Sequence, residues 1–238
     1  MNTILVTRPE TSATYDVMLW RQAGFEVILA PLLTVNFVPT QLPYLENYQS
    51  VITTSVQAIL ALAHLTPQRD FPLWCVGQSS AKVAADCGFQ NIFIPPDGQE
   101  NAFGLANAIA QHLIRGRLLY ICGKQTQFNI VEFLTLKDIQ VDQAILYETQ
   151  PNKAYWSQID DFCANPNKIG VTFYSQRTAQ VFKDYASSKK FNFKIDKGCW
   201  PLTLSHAIAD HIQAFFYEPP IIASTTKQLI ANLKRNVF

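Results

Sequence analysis

The opening stretch Ile4-Leu5-Val6-Thr7-Arg8-Pro9-Glu10 sets the reading of the whole chain. Three apolar residues form the short continuous run expected of a strand buried on both faces of a parallel sheet. A hydroxyl and a polar cluster follow. Val17, Leu19, Trp20 and Ala23 then recur at helical spacing until Gly24, which suits the left-handed end of a helix. The same grammar returns at Val51-Ile-Thr-Thr-Ser55 before an Ala- and Leu-rich helix reaching Leu65, and at Trp74-Cys-Val-Gly77 before Ser80 to Cys87. Leu118-Leu-Tyr-Ile-Cys122, Ile169-Gly-Val-Thr-Phe173 and Ile221-Ile-Ala223 are further instances, and Phe25-Glu-Val-Ile-Leu29 is a strand ending near Pro31. Strands alternating with helices predict an α/β fold with parallel sheets built from βαβ units.

Two segments depart from that grammar. Thr34-Val-Asn-Phe-Val38 and Ala144-Ile-Leu-Tyr147-Glu-Thr-Gln-Pro151 are extended, β-prone and bounded by prolines. Paired, they form a two-stranded linker by which the chain leaves one lobe and returns to it. The expected organisation is a discontinuous first lobe of residues 1–35 plus 150–238 and a second lobe of 38–144, with linkers near 34–38 and 144–150. A weak internal repeat agrees with two similar lobes: Cys75–Asp86 can be laid on Cys199–Asp210, and Thr54-Ser55-Val-Gln-Ala58 on Tyr174-Ser175-Gln-Arg-Thr178-Ala179.

Composition narrows the function classes. With 48% hydrophobic and 16% charged residues in 238, disorder is excluded. Nineteen Lys and Arg against eighteen Asp and Glu leave a charge of +1, so neither nucleic acid nor a membrane surface is an expected partner. The five cysteines are scattered without a C-x-x-C, reading as reduced thiols of a cytoplasmic protein. The opening residues lack the layout of an export signal, and no apolar run approaches the roughly 18 residues of a membrane span. No G-x-G-x-x-G follows a strand, and no G-x-S-x-G elbow is present. Gly123-Lys124-Gln-Thr126 lacks the spacing of a phosphate loop, and the four histidines show no metal spacing. These absences leave no support for a dinucleotide site, a phosphate loop or a metal, and the expectation is no metal.

What recurs is a hydroxyl wherever a strand gives way to a helix: Thr7, Thr53-Thr54-Ser55, Ser79-Ser80, Ser175, Thr178, Thr203 and Ser224-Thr225-Thr226. Each position alone reads as a helix N-cap. Collectively, strand C-terminal ends line the ligand crevice of parallel sheets, and helix N-termini there offer N–H groups to anions. A neutral protein with many such ends suits a ligand carrying several carboxylates.

At these junctions the sequence resembles the uroporphyrinogen-III synthase family. The resemblance lies in Ile4-Leu-Val-Thr7-Arg8-Pro9-Glu10 with Gly24-Phe-Glu-Val and Pro31-Leu-Leu33, in Ile52-Thr-Thr54-Ser55-Val-Gln57-Ala58, and in Cys75-Val-Gly77-Gln-Ser79-Ser80-Ala81 followed by Gly88-Phe89. It continues through Leu146-Tyr147-Glu148-Thr149, Phe173-Tyr-Ser175-Gln-Arg-Thr178 and Ser224-Thr225-Thr226, in order along the chain. The resemblance implies two similar α/β lobes with the active-site cleft between them. It implies a lyase of haem and tetrapyrrole biosynthesis that cyclises hydroxymethylbilane to uroporphyrinogen III, inverting ring D and losing water without a cofactor. That substrate carries eight carboxylates.

In that reading Tyr147 donates a hydrogen bond to the departing hydroxyl, a phenol being a donor at neutral pH. Thr7, Arg8, Thr54, Ser55, Gly77, Ser79, Ser80, Ser175, Thr178, Thr203, Thr225 and Thr226 orient the acetate and propionate arms. A monomer in transient contact with hydroxymethylbilane synthase completes the expectation. A bilobed binding or regulatory module without turnover is the alternative. Three departures from the family pattern bear on it: Gln127 stands where the family has Arg, Tyr174-Ser175-Gln176 stands where it has Thr-Ser-Pro, and Pro201 stands opposite a turn glycine, which would remove a backbone donor.

Overall fold

A computed structural model describes residues 1–112, 116–195 and 197–237, with residues 10–12 described by their backbone alone. In chain order, β1 (Thr3–Val6) leads to α1 (Glu10–Gln22), β2 (Glu26–Leu29) and β3 (Leu33–Phe37). Next come β4 (Ser50–Thr53), α2 (Val56–Leu65), β5 (Pro72–Cys75), α3 (Gln78–Asp86), β6 (Asn91–Phe93) and α4 (Ala102–Gln111). They are followed by β7 (Leu118–Gly123), α5 (Ile130–Thr135) and β8 (Val141–Pro151). The chain ends with α6 (Trp156–Ala164), β9 (Lys168–Phe173), α7 (Gln176–Ser188), β10 (Trp200–Thr203), α8 (His206–Ile212), β11 (Ile221–Ile222) and α9 (Thr226–Val237).

These elements form two compact units, Met1–Thr34 with Gln150–Phe238, and Val35–Thr149. The discontinuous unit holds a five-stranded sheet of order β11-β10-β9-β1-β2, parallel throughout. Its central strands β1, β9 and β10 are buried on both faces. Leu5, Val171 and Phe173 pack against α6, α7 and α8, while Ile4, Val6 and Leu202 pack against α1 and α9. The continuous unit contributes β4 to β8 to a sheet of order β3-β8-β7-β4-β5-β6. The strands β8, β7, β4, β5 and β6 run parallel. Val51, Leu73, Cys75, Leu119 and Ile121 face α2 and α3, and Ile52, Trp74, Leu118 and Tyr120 face α4 and α5. Period-two alternation between two helical layers explains why these strands read as unbroken apolar runs.

The extended segments that broke the grammar are β3 and β8, neighbours at the edge of the six-stranded sheet. Pro201 corrects one expectation. It lies inside β10, opposite Val171 of β9 and one residue before the first pair with β11, Leu202 with Ile221. A proline is tolerated where a ladder partner is missing. The helix that follows starts later, at the cap Ser205, so Pro201 removes no donor from a helix end.

Candidate functional site

Parallel strands bring all their C-terminal ends to one edge, and in each unit that edge carries the hydroxyl row. In the continuous unit, β4 ends at Thr53 and α2 begins at the cap Ser55, whose Oγ accepts the Gln57 N–H at 3.1 Å. Thr53 is buried and donates to the Ser55 carbonyl at 3.2 Å, locking the turn. Thr54 pairs with the Tyr120 hydroxyl of β7 at 3.1 Å. On the neighbouring strand, Gly77 caps α3. Its N–H donates to Ser80 Oγ at 3.2 Å, and that hydroxyl donates back to the Gly77 carbonyl at 2.8 Å. Ser80 is thus buried and occupied by its own turn, whereas Ser79 beside it is exposed.

Tyr147 sits on β8 where the ladder with β7 is irregular. Cys122 pairs with Ile145, but Gly123 pairs with Tyr147, leaving Leu146 as an extra residue. A bulge re-aims the side chain that follows it. Here it lets Leu146 and Tyr147 pack against the same apolar cluster. The Tyr147 hydroxyl donates to Ser55 Oγ at 2.8 Å. Its ring lies over Gly123, where an added Cβ would come 2.6 Å from Cζ and 2.9 Å from the phenol oxygen. Backbone closes the arrangement: the Lys124 N–H donates to the Tyr147 carbonyl at 2.8 Å. Burial pushes the Tyr147 phenol above its ordinary value of 10.0, only partly opposed by the bond to Ser55. Burial likewise pushes Tyr120 up to about 12. Both phenols therefore hold their protons throughout the neutral range.

In the discontinuous unit the edge is built more tightly. Thr7 is buried, its N–H donating to Thr172 Oγ1 at 3.3 Å and its hydroxyl to the Thr172 carbonyl. Arg8 bonds Asp16 Oδ2 through Nη1 at 2.8 Å and stacks its guanidinium 4.8 Å from the Tyr174 ring centre. The buried Asp16 also accepts from Thr226 Oγ1 at 2.6 Å, tying α1 to the start of α9. Ser175 caps α7, accepting from Thr178 N–H at 3.1 Å and pairing with the Thr178 hydroxyl at 2.8 Å. Thr203 is buried and donates to the Ser205 carbonyl at 3.4 Å, repeating the Thr53–Ser55 turn of the other unit. Thr225 is exposed and accepts from Gln228 N–H at 3.3 Å.

The structure therefore brings together Thr54, Ser55 and Tyr147 in one unit and Arg8 with Thr226 in the other. It spends the side chains of Ser80 and Thr203 on local turns and that of Thr7 on tying β1 to β9 through Thr172. Sequence reasoning missed Tyr120, Asp16, Gly123 and the cap Ser205. Ser205 alone carried a readable signal, the Thr-x-Ser spacing it shares with Thr53-Thr54-Ser55. A cleft of about 780 Å³ runs beside β8, lined by Asn36, Val38, Tyr48, Asp142 and Ile145 among others, but none of the strand-end hydroxyls faces it. Among the described residues no group of three or more His, Cys, Asp or Glu is placed to hold a metal. No helix among them is long and apolar enough to cross a membrane.

Comparison with known proteins gives this edge its context. Residues 17–230 match the family model described as uroporphyrinogen-III synthase HemD. No curated protein matches the chain in sequence. Among solved structures, a uroporphyrinogen-III synthetase from Helicobacter pylori is similar over 100% of both chains, with a TM-score of 0.69 at 15% identity. A mutant uroporphyrinogen III synthase from Thermus thermophilus is similar over 99% of this chain and 97% of its own, with a TM-score of 0.62 at 12% identity. At such identities the structures speak for the α/β fold, and the family model, matching most of the chain, speaks for descent: the chain belongs to the uroporphyrinogen-III synthase family, enzymes of tetrapyrrole biosynthesis.

Proposed function

We propose that this protein cyclises hydroxymethylbilane to uroporphyrinogen III, with inversion of ring D and loss of water. The observation that carries the proposal is the protonated Tyr147 phenol bonded to Ser55 at the start of α2. Departure of the terminal hydroxyl leaves an electrophilic azafulvene, which closes without help to the unrearranged type I isomer. The catalyst's task is to speed that departure and to hold the folded conformer that attacks through a spiro intermediate. Restriction and electrostatic complementarity, more than one strong acid, meet that need.

Tyr147 is the source of the proton that reaches the departing hydroxyl. Thr54, Ser79, Ser175, Thr225 and Arg8 orient carboxylate arms with their side chains. Thr7, Gly77, Ser80, Thr178, Thr203 and Thr226 contribute by fixing the turns that present backbone N–H groups. Each exposed helix start is worth on the order of 0.3–1 kcal/mol toward an anion. Asp16 already draws on the charge of Arg8, so Arg8 acts on the substrate as a fixed, half-neutralised donor. The five free cysteines fit a reducing, cytoplasmic setting. The instability of the bilane favours transient contact with the synthase that releases it, and the chain is read as a monomer.

Incubation with freshly generated hydroxymethylbilane, followed by oxidation and separation of the porphyrin isomers, tests the proposal. Type III product forming faster than the spontaneous background is expected. Type I alone would refute it and leave a family member without turnover.

A further inference from the structure

Ser55 is the one helix cap among the described residues that also receives a phenol from another strand. Asn101, Asn129, Asn152, Ser175 and Ser205 each accept a backbone N–H of their own helix. Ser55 does this too, and it also accepts from a phenol. A serine hydroxyl has two acceptor sites and one proton. The Gln57 N–H at 3.1 Å and the Tyr147 O–H at 2.8 Å fill both acceptor sites. The Ser55 proton finds no acceptor among the described residues, and the side chain is half-exposed at the first turn of α2. The phenol proton, by contrast, is already committed to Ser55. The free donor of the pair is the serine.

We propose that Ser55 is the group that touches the departing hydroxyl, with Tyr147 acting through it as a positioning and proton-supplying residue. This rests on the synthase reading above and specifies its proton path. As the C–O bond of the hydroxymethyl group breaks, the oxygen leaves with its electron pair and takes the Ser55 proton as water. Ser55 recovers a proton from Tyr147. The proton lost from the attacking pyrrole carbon at ring closure returns to Tyr147 through Ser55, so the pair ends as it began. The N-terminus of α2 favours the transient negative charge on Ser55. Gly123 keeps the Tyr147 ring against the serine, because any side chain there would occupy the ring's own position.

The test is steady-state kinetics on fresh hydroxymethylbilane for the wild type, Ser55→Ala, Ser55→Thr, Tyr147→Phe and the Ser55→Ala/Tyr147→Phe double variant, with thermal unfolding of each. A relay predicts that Ser55→Ala and Tyr147→Phe each lower kcat by about tenfold or more, with KM changed less than about twofold. The double variant should be no slower than the slower single one, since groups acting as one unit are not additive. Ser55→Thr keeps both cap and hydroxyl and should recover most of the rate, separating lost chemistry from a weakened helix start. A raised KM with unchanged kcat in Ser55→Ala would make Ser55 a carboxylate binder and overturn the relay. Multiplying losses in the double variant, or a folded Ser55→Thr as slow as Ser55→Ala, would overturn it equally. Failure of the synthase reading itself shows in the wild type alone, as type I product only.

Discussion

Replacing Gly123 by alanine tests how far the position of one ring controls the chemistry. The new Cβ would lie 2.6 Å from Tyr147 Cζ, 2.8 Å from Cε2 and 2.9 Å from the phenol oxygen. Carbon atoms rest about 3.5–4.0 Å apart, so the ring must retreat by about 1 Å. It cannot take its backbone along freely, because the Lys124 N–H holds the Tyr147 carbonyl and the strand is paired at that point. The phenol oxygen, now 2.8 Å from Ser55, is carried toward the limit of hydrogen bonding. Overpacking of this kind destabilises by about 1–3 kcal/mol. A misplacement of about 1 Å at a reacting group lowers rate by about 10²-fold. Gly123→Ala should therefore lose both melting temperature and turnover of type III product, measured by thermal unfolding and by isomer-resolved assay. In a Tyr147→Ala background the clash has no partner, and the stability loss should vanish. An unchanged melting temperature and rate in Gly123→Ala, or the same stability loss with and without the Tyr147 ring, would refute the reasoning.

Two further predictions concern stability. Burial pushes the Cys75 thiol from 9.0 to about 12. A folded-state pKa raised above the unfolded one means this contribution is whole below pH 9 and fades as pH climbs toward 12, by at most about 1.4 kcal/mol per pH unit. Urea unfolding at pH 8 and pH 10 should show Cys75→Ala losing less stability over that interval than the wild type; equal losses would sink the assignment. In the discontinuous unit, Asp16→Ala strands Arg8 and removes the acceptor of the Thr226 hydroxyl. Breaking a fully buried pair costs about 3–5 kcal/mol, and because the Arg8 side chain is 36% exposed, about 2 kcal/mol is expected here. A urea-derived change within about 0.5 kcal/mol would show that the clasp contributes little.

The α/β fold was legible because its central strands are buried on both faces, so that apolar runs and capping hydroxyls alternate along the chain. What escaped was decided by partners distant in sequence. Asn91–Phe93 is a strand only because Trp74 and its neighbours offer it a ladder, and Trp200–Thr203 is hidden by a proline that its short neighbour β11 leaves unchallenged. The repeat was aligned on Cys75 and Cys199, placing Gly77 opposite Pro201. The correspondence that the hydrogen bonds draw is Thr53-x-Ser55 with Thr203-x-Ser205, a buried threonine donating to the carbonyl of the following cap in each unit. Asp16 gave no signal, since an aspartate within a helix ordinarily faces water, and Tyr120 reads as one more apolar strand residue.

The hydroxyl row also divides in a way the sequence could not reveal. Thr7, Ser80, Thr203 and Thr226 look like Ser55, Ser79 and Thr225 when read as residue types at strand ends. Packing separates them: the first group is buried and donates inward, to Thr172, Gly77, Ser205 and Asp16 respectively. Those bonds hold the turns in the shape that exposes the first N–H groups of the helices, which a single capping side chain does not exhaust. On the proposed reading, a protein of net charge +1 meets a polyanion with backbone donors, the inward hydroxyls keeping those donors fixed and the outward ones extending their reach. Substituting an inward hydroxyl is on this logic a loss of preorganisation, whereas substituting an outward one removes a contact. Ser55 has both characters at once. It caps α2, it receives Tyr147, and its own proton is left over. That is why the proposed proton relay is placed there.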